Sequence, residues 1–290
     1  MNFEANFLAA LSRYGCKTAF IGKVGKDAFG RLLINTLEKS GVDTRAVVED
    51  DDLFTTLAFV TLDESGEREF SFARKPGADT GLEFEEIDLS ILDHSRVFHF
   101  GSLSLTHEPV REATKRLVEY AKERGLLISY DPNLRKPLWK ELKEAKEQLL
   151  WGMKQADLVK ISDEEVEFLF QCGVREGAEK LIKEYDVGLV FVTCGSEGCY
   201  YFNGNISGQS PGVYGLQVAD TTGAGDIFGG SALSRILRLR KELRELSKEE
   251  LEEITAFACT AAGLSTTKGG GLSSIFDEDE VENYRRNPKG

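Results

Sequence analysis

Four apolar segments of strand length, separated by segments of helical periodicity, constrain the fold of this chain most. The apolar segments cover residues 97–100, 127–130, 158–161 and 189–193. Helical periods occupy residues 108–124, 140–152, 163–169 and 175–185, and an earlier helix–strand–helix pattern covers 7–14, 18–21 and 29–37. Such alternation is typical of parallel strands buried on both faces, because each crossover helix covers the sheet. We therefore predict an α/β fold with a doubly wound, mostly parallel sheet and helices on both faces.

The stretch 55–74 interrupts this pattern, because apolar and polar residues alternate there with the period of a strand. Two such runs, 55–62 and 67–73, flank the sequence Asp-Glu-Ser-Gly at 63–66, which predicts a β-hairpin. A hairpin inserted between βα units would cover a cleft, so we interpret it as a lid. Since 290 residues with 41% hydrophobic content suffice for one large α/β core, we predict a single domain over 1–290 with the lid inserted.

The charge balance disfavours nucleic acids and anionic membranes as partners. With 36 Lys and Arg against 49 Asp and Glu, the net charge is −13, which disfavours binding to nucleic acid or to an anionic membrane. No apolar run reaches the ~18 residues of a membrane span, and the first residues lack signal-peptide features. We therefore expect a cytoplasmic protein. The five cysteines form no C-x-x-C pair, which predicts reduced, mostly buried thiols.

The motif at residues 220–226 combines an anion site with a general base. Its sequence is DTTGAGD, followed by apolar residues that continue as a helix. Small side chains at Gly223, Ala224 and Gly225 let their backbone N–H groups converge on a phosphate at the helix start. Asp226, in the first helical turn, would accept the proton of an attacking alcohol. The alternative is a glycine turn before an ordinary helix. Because no G-x-x-x-x-G-K-[ST] string occurs, the motif indicates a phosphotransferase outside the P-loop class.

Polar residues follow three of the predicted strands, at the sheet edge where α/β proteins bind ligands. They lie at 131–135 (DPNLR), 162–165 (SDEE) and 193–198 (TCGSEG). Each has an ordinary alternative: a proline turn, acidic residues in a first helical turn, and a hairpin turn. Their common position beyond the carboxyl ends of strands favours a binding site.

Residues 220–230 resemble the C-terminal signature of the ribokinase-like (PfkB) carbohydrate kinases. The strings at 70–79, 98–105 and 128–139 resemble the fructokinases of that family, and the likeness extends from about residue 5 to residue 276. The resemblance implies ATP:D-fructose 6-phosphotransferase activity with ATP, Mg²⁺ and K⁺, and Asp226 as the catalytic base. Because such relatives often dimerise through the lid, it also implies a homodimer of this protein through the hairpin.

The resemblance assigns further residues by position. Sugar contacts fall on Asn6, Arg74 and Arg135, and Asn133 lies beside Arg135 at the same strand end. Glu165 would organise Mg²⁺ and phosphates through water. The nucleotide side comprises Ser162, Glu165, Thr193, Gly195, Gly198, Gly225 and Cys259, of which Cys259 replaces an Asn that is frequent in relatives. A monovalent-cation loop matches Asp220, Thr222, Ser265 and Gly270.

The sequence departs from the family at residues 1–6. Relatives carry a first strand with a sugar-binding aspartate and then a Gly-Gly-Ala-x-x-Asn turn, whereas this sequence begins within that turn and places Glu4 there. Two interpretations follow: an active fructokinase, or a non-catalytic or N-terminally truncated kinase-fold protein that binds nucleotide. Within the enzyme class, 2-keto-3-deoxygluconate kinase is the alternative, because Arg74 and Arg135 would also suit a carboxylate.

Overall fold

Two amphipathic helices form most of the first forty residues. The computed structural model describes residues 3–62 and 68–287. Helix α1 (Phe3–Arg13) buries the predicted apolar stripe and ends before Gly15, whose φ of 83° favours glycine. Helix α2 (Ala28–Lys39) begins at Asp27, whose carboxylate accepts hydrogen bonds from two backbone N–H groups of the first turn.

The N-terminal strands are short and form separate pairs. They are β1 (Thr18–Ala19), β2 (Gly22–Gly25), β3 (Val42–Asp43) and β4 (Val47–Asp50). Strand β1 pairs with β3 and β2 with β4, both in parallel. The predicted strand at 18–21 thus ends at Ala19, and a second strand begins at Gly22. The segment that contains β3 and β4 carries one more residue between the two pairings, as at a β-bulge.

The predicted hairpin is present. Strand β5 (Leu57–Leu62) pairs antiparallel with β6 (Arg68–Ala73), with Leu57 opposite Ala73. The turn predicted at 63–66 lies outside the described residues. Three short 3-10 turns between Ala78 and Ile91 then connect the hairpin to the main sheet.

The main sheet has six strands in sequential order. Its strands and helices are β7 (Val97–Gly101), α3 (Val110–Glu123), β8 (Leu127–Asp131), α4 (Leu142–Gln155), β9 (Leu158–Ser162), α5 (Asp163–Phe170), α6 (Val174–Tyr185), β10 (Leu189–Thr193), β11 (Cys199–Phe202) and β12 (Ser207–Ser210). Strands β7 to β10 are parallel, as predicted, whereas β11 and β12 are antiparallel. The segment 194–198 therefore turns between antiparallel strands, as in the hairpin-turn alternative.

Helices cover both faces of this sheet, which confirms the predicted layering. Phe98 and Phe100 face the cluster formed with α3 to α6, whereas Val97 faces the opposite cluster. That opposite cluster contains residues of α1, α7 (Ala224–Leu239) and α8 (Lys248–Ser265), and the last helix is α9 (Glu278–Arg286). Alternate side chains of each strand thus enter two different cores.

Strand β7 forms one edge of the six-stranded sheet. A cavity of about 1380 Å³ lies alongside it, between β7 and the N-terminal strands, and is lined among others by residues 17–24 and 94–101. In the described part of the chain, no helix is both long and apolar enough to cross a membrane.

Candidate active site

Asp226 lies in the first turn of α7 with both carboxylate oxygens held by amides. Helix α7 begins after Gly223, whose φ of 82° suits glycine, and no side chain caps this helix terminus. The Asn6 side chain donates to Oδ2 of Asp226 at 2.9 Å, and the Asn133 side chain donates to Oδ1 at 3.1 Å. Residues from α1 and from the end of β8 therefore fix the orientation of this carboxylate.

The surroundings of Asp226 raise the pKa of its carboxyl group toward neutral pH. Burial raises the pKa of Asp226 to about 7, and the charge of Asp131 adds to this effect. The hydrogen bond from Asn6 and the charge of Lys160 act in the opposite direction. A carboxyl group with such a pKa exchanges a proton readily at physiological pH, as a general base requires.

Lys160 contributes a positive charge that the sequence analysis did not assign. Its ammonium lies 3.0 Å from Asp131 Oδ2, and both side chains are largely buried. A Cβ atom placed on Gly225 would lie 2.9 Å from Lys160 Nζ, so the ammonium lies close to the first turn of α7. Burial alone would lower the pKa of Lys160, but the charges of Asp131, Glu165 and Asp226 raise it. The available signal was a lysine inside the apolar run 158–161.

The loops after β8 and β9 are tied together by Glu165. One Glu165 oxygen accepts from the Leu134 backbone N–H at 2.7 Å, and the other accepts from the Ser162 backbone N–H at 2.9 Å. The Ser162 hydroxyl accepts in return from the Glu165 N–H, which completes a capping box at the start of α5. Asn133, with a φ of 43°, occupies the left-handed region that lets its side chain reach Asp226.

Arg74 makes a structural contact instead of facing Asp226. Its guanidinium pairs with Asp79 at 2.6 Å and also donates to the Thr106 hydroxyl and to the Leu103 carbonyl. It therefore links the end of the hairpin to the segment after β7. Arg135 donates to the Leu134 carbonyl at 3.1 Å. Neither arginine lines the small pocket beside Asp226, so their role as sugar contacts stays a prediction.

That small pocket is formed by α1 and by the ends of β7 and β8. Its lining comprises Glu4, Phe7, His99, Gly101, Asp131, Asn133 and Asp226. The rings of Phe7 and His99 stack with centroids 3.7 Å apart, and His99 Nδ1 lies 2.9 Å from the Ser129 hydroxyl. Burial, with the nearby Lys160, lowers the pKa of His99 to about 3, so this imidazole is neutral. A histidine inside the run 97–100 was the sequence signal that was missed.

The nucleotide-side residues surround the end of β10. Thr193 is paired across the sheet with Ser162, which aligns the two predicted segments. Gly195 and Gly198 have positive φ, and a Cβ on Gly198 would clash with the Ser210 carbonyl, so the turn requires glycine there. Cys259 is buried in α8, where burial raises the pKa of its thiol to about 12.

The predicted cation loop is assembled around Asp220. Its carboxylate accepts from the Thr222 backbone N–H at 2.9 Å and from the Gly270 N–H at 3.0 Å. The Ser265 hydroxyl donates to the Ala262 carbonyl at 2.7 Å, near the end of α8. Among the described residues, no group of three or more His, Cys, Asp or Glu side chains is arranged to hold a metal ion. A cation here would therefore depend on backbone and hydroxyl oxygens, which are the ligands that hard cations prefer.

Comparison with known proteins gives a consistent assignment. Residues 4–277 match the model of the "pfkB family carbohydrate kinase" family. The chain is 42% identical to Fructokinase-1 of Zea mays over 280 residues, covering 96% of this chain and 85% of the maize protein.

Solved structures agree with the sequence match. The Xylella fastidiosa fructokinase with bound ATP superposes with a TM-score of 0.91 and 28% identity, covering 100% of this chain and 91% of the other. The Vibrio cholerae fructokinase bound to fructose, ADP and a calcium ion superposes with a TM-score of 0.87 and 31% identity. The match covers 98% of this chain and 90% of the other. This chain belongs to the pfkB family of carbohydrate kinases.

Proposed function

We propose that this protein transfers the γ-phosphoryl group of ATP to the primary hydroxyl of D-fructose and forms fructose 6-phosphate. The observation that carries the proposal is the buried Asp226 carboxylate, oriented by two amides in the first turn of a helix whose N-terminus no side chain caps. The similar proteins from maize, Xylella fastidiosa and Vibrio cholerae support fructose and ATP as the substrates.

The chain's own groups supply the steps of an in-line transfer. Ionised Asp226 removes the proton of the attacking hydroxyl, while Asn6 and Asn133 keep its oxygens directed at that hydroxyl. The amides at residues 223–225 and the Lys160 ammonium would stabilise the charge that develops on the transferred group. The Ala224 N–H makes a long bond of 3.3 Å to the Thr221 carbonyl, which a phosphate oxygen would replace.

The donor set fits the expected cations. When bound with the nucleotide, Mg²⁺ would supply positive charge that stabilises the phosphate oxygens. The family resemblance assigns Glu165 to its hydration shell, and the Glu165 carboxylate accepts hydrogen bonds from the loops after β8 and β9. K⁺ would be held by oxygens of the loops containing Asp220, Thr222, Ser265 and Gly270, and it would order the segment before α7.

A coupled ADP-release assay with Mg-ATP, K⁺ and a panel of sugars tests this function. We expect fructose-dependent turnover, and we expect Asp226→Asn to lower kcat by about 10²–10⁴ while ATP still binds. Asp279→Asn, which changes an exposed aspartate on α9, is the matched control and should leave kcat unchanged. Unchanged turnover in Asp226→Asn would remove the base assignment. If the unmodified protein binds ATP but releases no ADP with any sugar of the panel, the non-catalytic alternative is favoured.

We infer that the protein forms a homodimer through the hairpin and works in the cytoplasm. Phe59 on β5 is 55% exposed, and an exposed aromatic side chain on an antiparallel hairpin offers an apolar contact to a second copy. All five cysteines are free, which suits a reducing compartment. Light scattering on the intact protein tests the homodimer, because a monomeric mass at micromolar concentration would contradict it. Fractionation of the cells that produce the protein tests the cytoplasmic location, because recovery of the protein outside the cells would contradict it.

A further inference from the structure

Glu4 brings a carboxylate into the pocket beside Asp226. It lies in the first turn of α1, and its Oε2 atom is buried without a hydrogen-bond partner among the described residues. Its Oε1 atom would be only 2.7 Å from a Cβ atom placed on Gly101. The absence of a side chain at the end of β7 therefore makes room for this carboxyl group. A buried acceptor without a partner favours a ligand that donates a hydrogen bond.

The charges around Glu4 determine which ligand fits. The small pocket encloses about 10 Å³, room for about one water-sized group, and the described residues that line it include the carboxyl groups of Glu4, Asp131 and Asp226 and no lysine or arginine. Glu4 also lines the cavity of about 1380 Å³, where Lys23 and Arg74 lie. Lys160 approaches the pocket but is paired with Asp131 at 3.0 Å, and Arg74 is paired with Asp79. His99 is neutral, because burial lowers its pKa to about 3. Burial raises the pKa of Glu4 to about 7, so above that pH the pocket offers a carboxylate to hydroxyl groups and repels a second anion.

We propose that Glu4 is a specificity-determining residue that accepts hydrogen bonds from hydroxyls of a neutral ketose and excludes sugar acids. The proposal rests on the proposed kinase function, whose acceptor hydroxyl must lie in the same pocket to reach Asp226. Vicinal hydroxyls of a ketose satisfy both oxygens of one carboxylate. A sugar acid whose carboxylate approached Glu4 would be repelled by ionised Glu4 and by the nearby carboxyl groups of Asp131 and Asp226.

Steady-state kinetics with fructose and 2-keto-3-deoxygluconate test this assignment. Glu4→Gln preserves size and one acceptor oxygen, so we expect KM for fructose to rise about 10-fold, and about 100-fold in Glu4→Ala, with kcat within a few-fold. The ratio of kcat/KM for the sugar acid to that for fructose should rise in both variants. Glu123→Gln, at an exposed glutamate of α3, is the matched control and should behave like the unmodified protein.

Calorimetric titration of both sugars in the presence of a non-hydrolysable ATP analogue separates this proposal from the function itself. Weaker fructose binding in Glu4→Gln supports the role of Glu4, whether or not the unmodified protein turns fructose over. Equal fructose affinity in Glu4→Gln and the unmodified protein would overturn it, as would an unmodified protein that binds the sugar acid more tightly than fructose or binds neither. Circular dichroism establishes that both variants are folded.

Discussion

The two sides of the cavity next to β7 are built differently. On one side, strands of four or five residues form a continuous sheet whose side chains fill cores on both faces. On the other side, β1 to β4 contain two to four residues each and form separate pairs. The groups that surround Asp226 come from the continuous sheet, from α7 and from α1. The continuous sheet therefore positions the groups around Asp226, whereas the shorter strands line the opposite side of the cavity.

Polar contacts hold the N-terminal side together where the sheet does not extend. Lys23 on β2 forms ion pairs with Asp50 at 2.9 Å and with Glu86 at 2.7 Å, and it donates to the Gly81 carbonyl. On the other side, Lys160 is paired with Asp131, and the carboxyl groups of Glu165 and Asp226 also lie near its ammonium. Both regions thus contain a lysine ion pair, but only the Lys160 pair lies near Asp226.

The largest expected effect is that of Lys160→Met on stability. Removing the ammonium leaves Asp131 buried without its counter-charge, which should cost about 3–5 kcal/mol in the free energy of unfolding. Urea denaturation of Lys160→Met, with the double variant Lys160→Met/Asp131→Asn as control, measures it. The double variant should recover most of the loss, and a single variant as stable as the unmodified protein would show that the pair contributes little.

A second effect concerns the pH dependence of stability at Asp226. Folded Asp226 keeps its proton up to about pH 7, whereas an unfolded aspartate loses it near 3.8, so the unmodified protein should become easier to unfold as pH rises between these values. Asp226→Asn lacks this dependence. The free energy of unfolding of the variant, relative to the unmodified protein, should rise by about 2 kcal/mol from pH 5 to pH 7. A difference that stays constant over this range would contradict the raised pKa.

The smallest expected effect is that of Lys23→Met on the N-terminal side. This change removes the ion pairs to Asp50 and Glu86, which are partly exposed, and should cost about 1–2 kcal/mol. Because Lys23 does not line the pocket at Asp226, kcat should stay within two-fold. Denaturation and turnover measured on the same preparation check both statements. A large loss of kcat with little loss of stability would mean that the two regions are more tightly coupled than their contacts indicate.

Local patterns in the sequence identified much of this molecule. The strand at 189–193 and the helices between strands follow from periodicity, and Asp226 follows from the motif at 220–226. The sequence did not reveal contacts set by tertiary packing. Arg74 forms its ion pair with Asp79 because the 3-10 turn that contains Asp79 places its carboxylate beside the guanidinium. Glu4 fits into the pocket because Gly101 has no side chain beside it. The division between β1 and β2 likewise depends on one additional residue in the partner segment.

The start of α7 has a consequence for the rate at which ATP arrives. We expect its backbone amides and the Lys160 ammonium to attract phosphate only over a short distance, because Lys160 is largely buried and paired with Asp131. The protein as a whole carries a net charge of −13, which repels an anionic nucleotide at longer range. Added salt screens the long-range repulsion more than the close contacts. Association with ATP should therefore become faster, not slower, as ionic strength rises.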